Sequence, residues 1–165
     1  MLSITASARA ATLDEAIRSF DDGRYPEAAQ QLLPHAEQGN ATAQQRLAIL
    51  YFYGRGVPED EKKAMDWAIR SAGQGNPDAM YLIGTIYMFG DQAPKTVDAP
   101  DLEAAKWFFE GASRGHAESE YGLGLLFLAG KGVVQDQNEA MKWIRRAADH
   151  GHPSAQSFLS SGHSR

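Results

Sequence analysis

Residues 41–76 read ATAQQRLAILYFYGRGVPEDEKKAMDWAIRSAGQGN, and the rest of the chain is organised around this stretch. Residues 77–116 and 117–152 repeat it, with matching letters at matching positions. The middle copy carries four extra residues in its internal loop, so equivalent tryptophans stand 40 and then 36 residues apart: Trp67, Trp107 and Trp143. Self-similarity at such a period is typical of stacked supersecondary units. The sequence therefore predicts a repeat array.

Each copy contains two helical segments. Helix A of the first copy is predicted over 41–53, where apolar residues recur three and four positions apart: Ala43, Leu47, Ala48 and Tyr51. Helix B is predicted over about 59–74. Its face that packs against helix A consists of Ala64, Trp67, Ala68 and Ala72. The alanines let the two helices approach closely, and the tryptophan is expected to fill the space between repeats.

The linker between the two helices has the sequence GRGVP, and its residues account for its expected conformation. Gly54 is expected to end helix A with a positive φ, Gly56 permits a second sharp bend, and Val57 can fold back onto the core. Asp60 is placed to cap helix B. The middle copy lacks the second glycine in its longer loop, residues 90–99. We interpret this loop as a tolerated surface insertion, with a functional loop on one face of the array as the alternative.

Atypical segments flank the three copies. Thr12 and Glu15 have capping-box spacing at the start of a helix pair predicted over 12–21 and 25–38, in which Gln31 replaces the tryptophan. A last helix A follows at 153–161, and it either caps the array or begins a further unit. The predicted segments are 1–11 (tail or export-signal remnant), 12–40 (capping pair), 41–76, 77–116 and 117–152 (repeats), and 153–165 (capping helix and tail).

The composition excludes several classes of partner. The chain has 165 residues, a net charge of −5 and a pI near 5.5, which argues against a nucleic acid partner because that would need a basic face. No apolar run approaches the roughly 18 residues of a membrane span, so we expect no membrane insertion. The chain has no cysteine, which is compatible with either an oxidising or a reducing compartment.

The first eleven residues, MLSITASARAA, bear on localisation. Ala8, Arg9 and Ala10 form the A-x-A pattern of an export-signal cleavage site, although the stretch lacks a basic start and its apolar run is short. A frayed tail is the competing interpretation. The pattern favours a periplasmic or secreted protein, with a cytoplasmic one as the alternative.

The pattern A-x-A-Q-x-x-L-A-x-x-Y-x-x-G-x-G-V-x-x-D-x-x-K-A-x-x-W-x-x-x-S-A-x-x-G over 41–75 resembles the Sel1-like repeat, a relative of the tetratricopeptide repeat. The stretch FDDGRYPEAAQQLLPHAEQGN is similar to the half-repeat that often opens bacterial proteins of this family. The resemblance covers about residues 12–160. It implies an all-α fold, a right-handed α-solenoid of about nine helices, and an adaptor or scaffold role, in bacteria often linked to the envelope, secretion or host interaction.

The sequence carries no recognisable catalytic or cofactor motif. We find no G-x-S-x-G, no H-E-x-x-H and no G-x-x-x-x-G-K, so we predict a non-enzymatic protein with no cofactor. His150, His152 and His163 lie near the C-terminus, but no carboxylate or cysteine stands at a recognisable ligand spacing. We therefore predict no metal site. His116 and His152 occupy the same repeat-end turn position as Asn40 and Asn76.

Helix A lines the concave face in tetratricopeptide-like solenoids, so the partner site is predicted on the helix A positions left over from packing. The stripe is more apolar than a solvated face should be, which favours a protein or peptide partner in the groove. Acidic residues at one edge would prefer a basic or amine-bearing partner. The predicted partner-binding residues are Gln45, Ile49, Phe52, Asp78, Tyr81, Thr85, Met88, Glu118, Tyr121, Leu125 and Leu128.

Tyr53, Phe89 and Ala129, next to the linkers, are interpreted instead as residues that pack repeat against repeat. The leading alternative to an adaptor is a structural assembly element, a homo-oligomer that buries the same stripe. An enzyme-regulatory or carbohydrate-binding groove is a third hypothesis, which rests on the tyrosines alone.

Overall fold

The computed structural model describes residues 10–90 and 99–161, and within these ranges the chain forms nine α-helices and no strand. The prediction of an all-α solenoid of about nine helices is confirmed. Ala8, Arg9, most of the 90–99 loop and His163 lie outside the described residues. The helices are α1 (Leu13–Asp21), α2 (Tyr25–Glu37), α3 (Ala41–Phe52), α4 (Glu61–Ala72), α5 (Pro77–Phe89), α6 (Pro100–Ala112), α7 (Ala117–Ala129), α8 (Gln137–Asp149) and α9 (Pro153–Ser161).

The helices stack in chain order. Each one packs against its neighbours in the sequence, and the remaining contacts join α1 to α3, α3 to α5 and α5 to α7. Helices α3, α5 and α7 are the A helices of the three copies, so they lie side by side and form one face of the array. This arrangement, in which a unit contacts only adjacent units, is the quasi-one-dimensional packing of repeat proteins.

Side-chain caps set where the helices begin. Thr12 and Glu15 form the predicted capping box at α1, with the Thr12 N–H 2.7 Å from the Glu15 carboxylate. Asp60 accepts the Lys63 N–H at 2.9 Å, as expected, so α4 begins at Glu61 rather than at 59. Asn40, Asn76 and His116 serve the same function at α3, α5 and α7. The repeat-end turn residues are therefore helix N-caps.

The glycine linkers adopt the predicted backbone in the first and third copies. Gly54 and Gly56 have φ of 61° and 72°, and Gly130 and Gly132 have φ of 67° and 66°. Gly90, at the corresponding position of the middle copy, has an extended backbone with φ −72° and ψ 138°. Helix α5 therefore ends without the left-handed glycine that ends the equivalent helix of the third copy.

The contacts between helix A and helix B compensate in size from copy to copy. Ala48 and Ala68 lie in the same core of the first copy, and both are completely buried. The equivalent pairs are Gly84 with Phe108 and Gly124 with Ile144, in which a Cβ on the glycine would collide with the larger side chain. Where helix A loses a methyl group, helix B has gained bulk, so the close packing of the interior is retained.

The tryptophans join neighbouring copies. Trp67 packs against two core clusters, one centred on α2 and α3 and the other on α4 and α5, as expected for a residue that fills the space between repeats. Trp107 packs on the second of these clusters, and Trp143 packs on the cluster formed by α6 and α7. All three tryptophans are partly exposed. Trp67 thus joins two of the core clusters directly.

Candidate functional site

An apolar cavity of about 520 Å³ opens on the helix A face, between α5 and α7. Helix α6 supplies the floor through Phe108, and the start of α9 supplies part of the wall through His152 and Ser154. We call this space the groove cavity. It is lined by Tyr81, Thr85, Met88, Phe89, Phe108, Glu118, Tyr121, Gly122, Leu125, Leu126, Ala129, Lys131, His152 and Ser154.

The structure brings six of the predicted partner-binding residues together around this cavity: Tyr81, Thr85, Met88, Glu118, Tyr121 and Leu125. Asp78 stands beside it through a contact with His116. Ile49 and Phe52 pack instead against the core of the first two copies, and Leu128 packs against the α8–α9 core. Gln45 is half-buried on α3 and does not line the cavity. A binding role for any of the eleven residues stays a prediction.

Gly122 lies on the wall of the cavity where the other copies have a side chain. The equivalent positions of the first and second copies hold Arg46 and Leu82, so only the third copy lacks a side chain there. A Cβ on Gly122 would lie 3.3 Å from the Phe108 ring, which is almost completely buried and forms the cavity floor. The sequence analysis did not identify Gly122 or Phe108 as site residues. Gly122 could have been noticed, because a glycine in the interior of a helix costs about 1 kcal/mol relative to alanine and so indicates a specific role.

Two tyrosines form the walls, and each is covered by a helix-capping histidine. The Tyr121 ring stacks on His152 with 4.4 Å between ring centroids, and the Tyr81 ring lies 5.7 Å from His116. Tyr81 also stacks on Phe108 at 5.5 Å. Because burial removes water from its hydroxyl, the pKa of Tyr81 is raised. These contacts hold both rings in place before any partner arrives.

Acidic side chains lie at the end of the cavity where α5 and α7 begin. His116 accepts the Ser119 N–H at Nδ1, so we assign its proton to Nε2, which faces Asp78 at 3.0 Å and Glu118 at 3.3 Å. The hydrogen bond from His116 is the main cause of the lowered pKa of Asp78. Both carboxylates remain more than half exposed. They therefore form a fixed negative edge that is open to solvent.

Exposed apolar groups and a lysine lie at the opposite end. Phe89 is 70% exposed and Leu125 is 40% exposed, and Lys131 follows in the linker after α7. The interpretation of Tyr53, Phe89 and Ala129 as packing residues is wrong, since all three are exposed. In the third copy Gly132 sits against the backbone of Asp101 on α6, so the chain turns away from the helix A face and leaves Ala129 uncovered.

The remaining histidines have structural neighbours. His150 Nδ1 lies 2.7 Å from the buried Glu120 carboxylate, whereas His152 lies on Tyr121. Within residues 10–90 and 99–161, no group of three or more His, Asp or Glu side chains is arranged to hold a metal ion. None of the helices in the same two ranges has the length and apolar character needed to cross a membrane.

Comparison with known families gives one match, which covers most of the chain. The sequence model of the Sel1 repeat matches residues 41–76, 77–116 and 117–152. The chain is 31% identical over 141 residues to the chitin synthase regulator SKT5 of Malassezia restricta, covering 85% of this chain and 10% of that protein. It is 29% identical over 147 residues to an exopolysaccharide production negative regulator of Rhizobium meliloti, covering 83% of this chain and 55% of that one.

Among solved structures, the chain is similar to a Sel1 repeat protein from Oxalobacter formigenes, with a TM-score of 0.73 and 30% sequence identity. The superposition covers 87% of this chain and 58% of the other. The chain thus spans about half of the length of the rhizobial relative and a tenth of the fungal one.

Proposed function

The chain belongs to the Sel1-repeat family, and we propose that it is a non-enzymatic adaptor that holds a peptide or a segment of a partner protein in the groove cavity. Sel1-repeat proteins generally mediate protein–protein interactions, and relatives of this chain are named as regulators. The observation that carries the proposal is the cavity itself, whose wall includes apolar side chains that the array leaves exposed.

The composition of the cavity supports a binding role. Tyrosine, phenylalanine and methionine are enriched at protein interfaces, and Tyr81, Tyr121, Phe89 and Met88 all lie on its wall. Exposed apolar side chains that are grouped rather than scattered mark interaction sites. A volume of about 520 Å³ is within the range of about 300–1,000 Å³ in which proteins bind ligands.

The polar groups beside the cavity support binding over catalysis. A catalytic site needs an acid, base or nucleophile that is free to reach a reacting atom. His116 and His152 each accept a helix-capping backbone N–H instead, from Ser119 and Ala155 respectively. Glu118 contacts His116 at 3.3 Å.

Filling the cavity tests the proposal. In Gly122→Leu the third copy acquires the side chain that Leu82 has in the second, placed directly above Phe108. We expect partner affinity to fall at least about tenfold, which corresponds to about 1.4 kcal/mol, because the new side chain occupies the space of the partner's. Affinity capture followed by quantitative mass spectrometry measures the loss, and circular dichroism verifies the fold.

A second variant tests whether a loss of binding in Gly122→Leu results from a folding defect. Tyr121→Ala removes one wall without adding bulk, and the same loss of capture is expected. Ile69→Arg is the matched control: Ile69 is 48% exposed on α4, away from the cavity, and the third copy has Arg145 at the equivalent position. If both cavity variants retain the partners of the wild-type protein at unchanged affinity, the adaptor proposal is wrong.

Self-association is the second candidate, because it would bury the same exposed side chains. Phe109 and Val134, on other surfaces, are 51% and 87% exposed and could contribute to such an assembly. For an assembly element we expect a concentration-dependent increase in mass in sedimentation velocity, reduced by Gly122→Leu. A constant monomer mass up to high protein concentration would eliminate this candidate.

A further inference from the structure

We propose that the occupant of the groove cavity is an extended peptide segment of about six residues that lies along α7, with opposite charges at its two ends and a large apolar side chain between them. Its cationic side chain faces Asp78 and Glu118, and its anionic group faces Lys131. This inference rests on the proposed adaptor function and specifies the chemistry of the partner.

Specific contacts position the two carboxylates at the acidic end of the groove cavity. The solvent-exposed carboxylates of Asp78 and Glu118 come from two different helices, and the Nε2 atom of His116 lies 3.0 Å from the first and 3.3 Å from the second. His116 is itself anchored by the backbone N–H and hydroxyl of Ser119, and its ring is only 11% exposed. Two carboxylates held together at the start of α7 favour a lysine or arginine side chain.

The basic end comes from the linker. Lys131 stands between the two glycines of the third linker and lines the cavity. Among residues 10–90 and 99–161 no ion pair of Lys131 is found. The first linker has Arg55 at the same position, near the ring of Tyr53. The cation is thus a repeated feature of this edge of the array.

The distance between the two ends determines the length of the segment. From Glu118 to Ala129, where α7 ends, eleven steps of about 1.5 Å give about 16 Å, and Lys131 follows two positions later in the linker. An extended chain covers this distance in about six residues at about 3.3 Å each. Between the ends the cavity is lined mainly by apolar side chains and by Gly122, which favours a large apolar side chain in the middle of the segment.

An extended segment bridges the two charged ends with the fewest ordered residues. A helix rises only about 1.5 Å per residue, so it would need about twelve residues to cover the same distance. Because each residue that is ordered on binding costs conformational entropy, the shorter extended segment is favoured.

Selection from a random peptide library tests the inference without a known partner. The full chain is immobilised and panned with displayed linear dodecapeptides, in parallel with Glu118→Lys, Lys131→Glu and Gly122→Leu. From the wild-type protein we expect peptides with Lys or Arg separated from Asp or Glu by about four residues, including Leu, Phe, Tyr or Trp. Glu118→Lys should lose the enrichment for the basic residue, and Lys131→Glu should lose that for the acidic one.

Synthetic peptides then quantify the pairing. Reversal of the charge at Glu118 or Lys131 should weaken binding of the selected peptide about two- to fivefold, the size expected for solvent-exposed charge pairs. Reversing the charge of the peptide residue that pairs with the substituted position should restore the affinity. Because a peptide can enter in either direction, the decisive comparison is between peptides with opposite end charges and peptides with like end charges.

The outcomes separate this inference from the proposed function. Peptides that bind wild type but not Gly122→Leu, and that show no charge pattern, would overturn the inference and leave the adaptor function in place. Peptides that bind Gly122→Leu equally well, or a selection without enrichment, would overturn both. Circular dichroism and thermal melting verify that each variant retains the wild-type fold.

Discussion

Removing Arg146 and His150 together is expected to destabilise the fold by about 3–5 kcal/mol, because it leaves the carboxylate of Glu120 buried without a counter-charge. Glu120 lies on α7 and its side chain is completely buried. The Arg146 Nη2 lies 3.0 Å from Oε1, in an ion pair without hydrogen-bond alignment, and the His150 Nδ1 lies 2.7 Å from Oε2. Urea denaturation of Arg146→Ala/His150→Ala measures the change.

The first copy shows how this position can be filled without charge. Gln44 and Gln74 are the equivalents of Glu120 and His150, and the Gln74 side chain donates to Gln44 at 2.8 Å. Adding Glu120→Gln to the double alanine variant should therefore recover most of the lost stability, because a neutral amide costs less to bury than a carboxylate. A double alanine variant with the wild-type denaturation midpoint would show that Glu120 does not depend on these two partners.

Gly132→Ala is expected to cost about 2–5 kcal/mol, from two additive causes. Its φ of 66° is unfavourable for any residue with a Cβ, at about 1–2 kcal/mol. The new methyl group would also overlap the carbonyl of Asp101 at the start of α6, where backbone atoms leave it no room, and overpacking of this kind typically costs about 1–3 kcal/mol. The free energy of unfolding, measured by urea titration, reports the total.

Gly130→Ala is the matched control for this prediction. Its φ of 67° is almost the same, but the nearest atom to a new Cβ is the side-chain Cβ of Gln135, at 3.1 Å. Only the conformational cost of about 1–2 kcal/mol is then expected. The same contrast should hold between Gly56 and Gly54 in the first copy. Equal destabilisation by the two alanines of the third linker would disprove the backbone contact with α6.

Much of the architecture was accessible to prediction because local interactions determine it. The capping box at Thr12, the cap at Asp60 and the positive φ of Gly54 depend on residues within a few positions of each other, and all three were predicted. The repeat made these local signals stronger, since each appears more than once. Gly90 departs from the pattern because its loop differs in length and composition.

The groove cavity was predicted only in part. Helical periodicity identifies which residues of helix A face away from helix B, which was enough to place Tyr81, Tyr121 and Leu125 near one another. It does not determine how far a neighbouring helix extends over that face. Leu128 was predicted to face the groove but packs against the α8–α9 core, whereas Phe89 was interpreted as a residue that packs repeat against repeat but is 70% exposed.

The sequence by itself determined the repeat, the helices, their caps and the family, because these follow from periodicity and from contacts close along the chain. Only the tertiary structure decided where the repeat leaves a space. In the sequence, Gly122 is simply a position without a side chain. In the folded chain it lines a cavity, together with Phe108 from α6 and the tyrosines of α5 and α7. Such a space depends on the sizes of side chains that are far apart in the chain, so it exists only once the helices have packed.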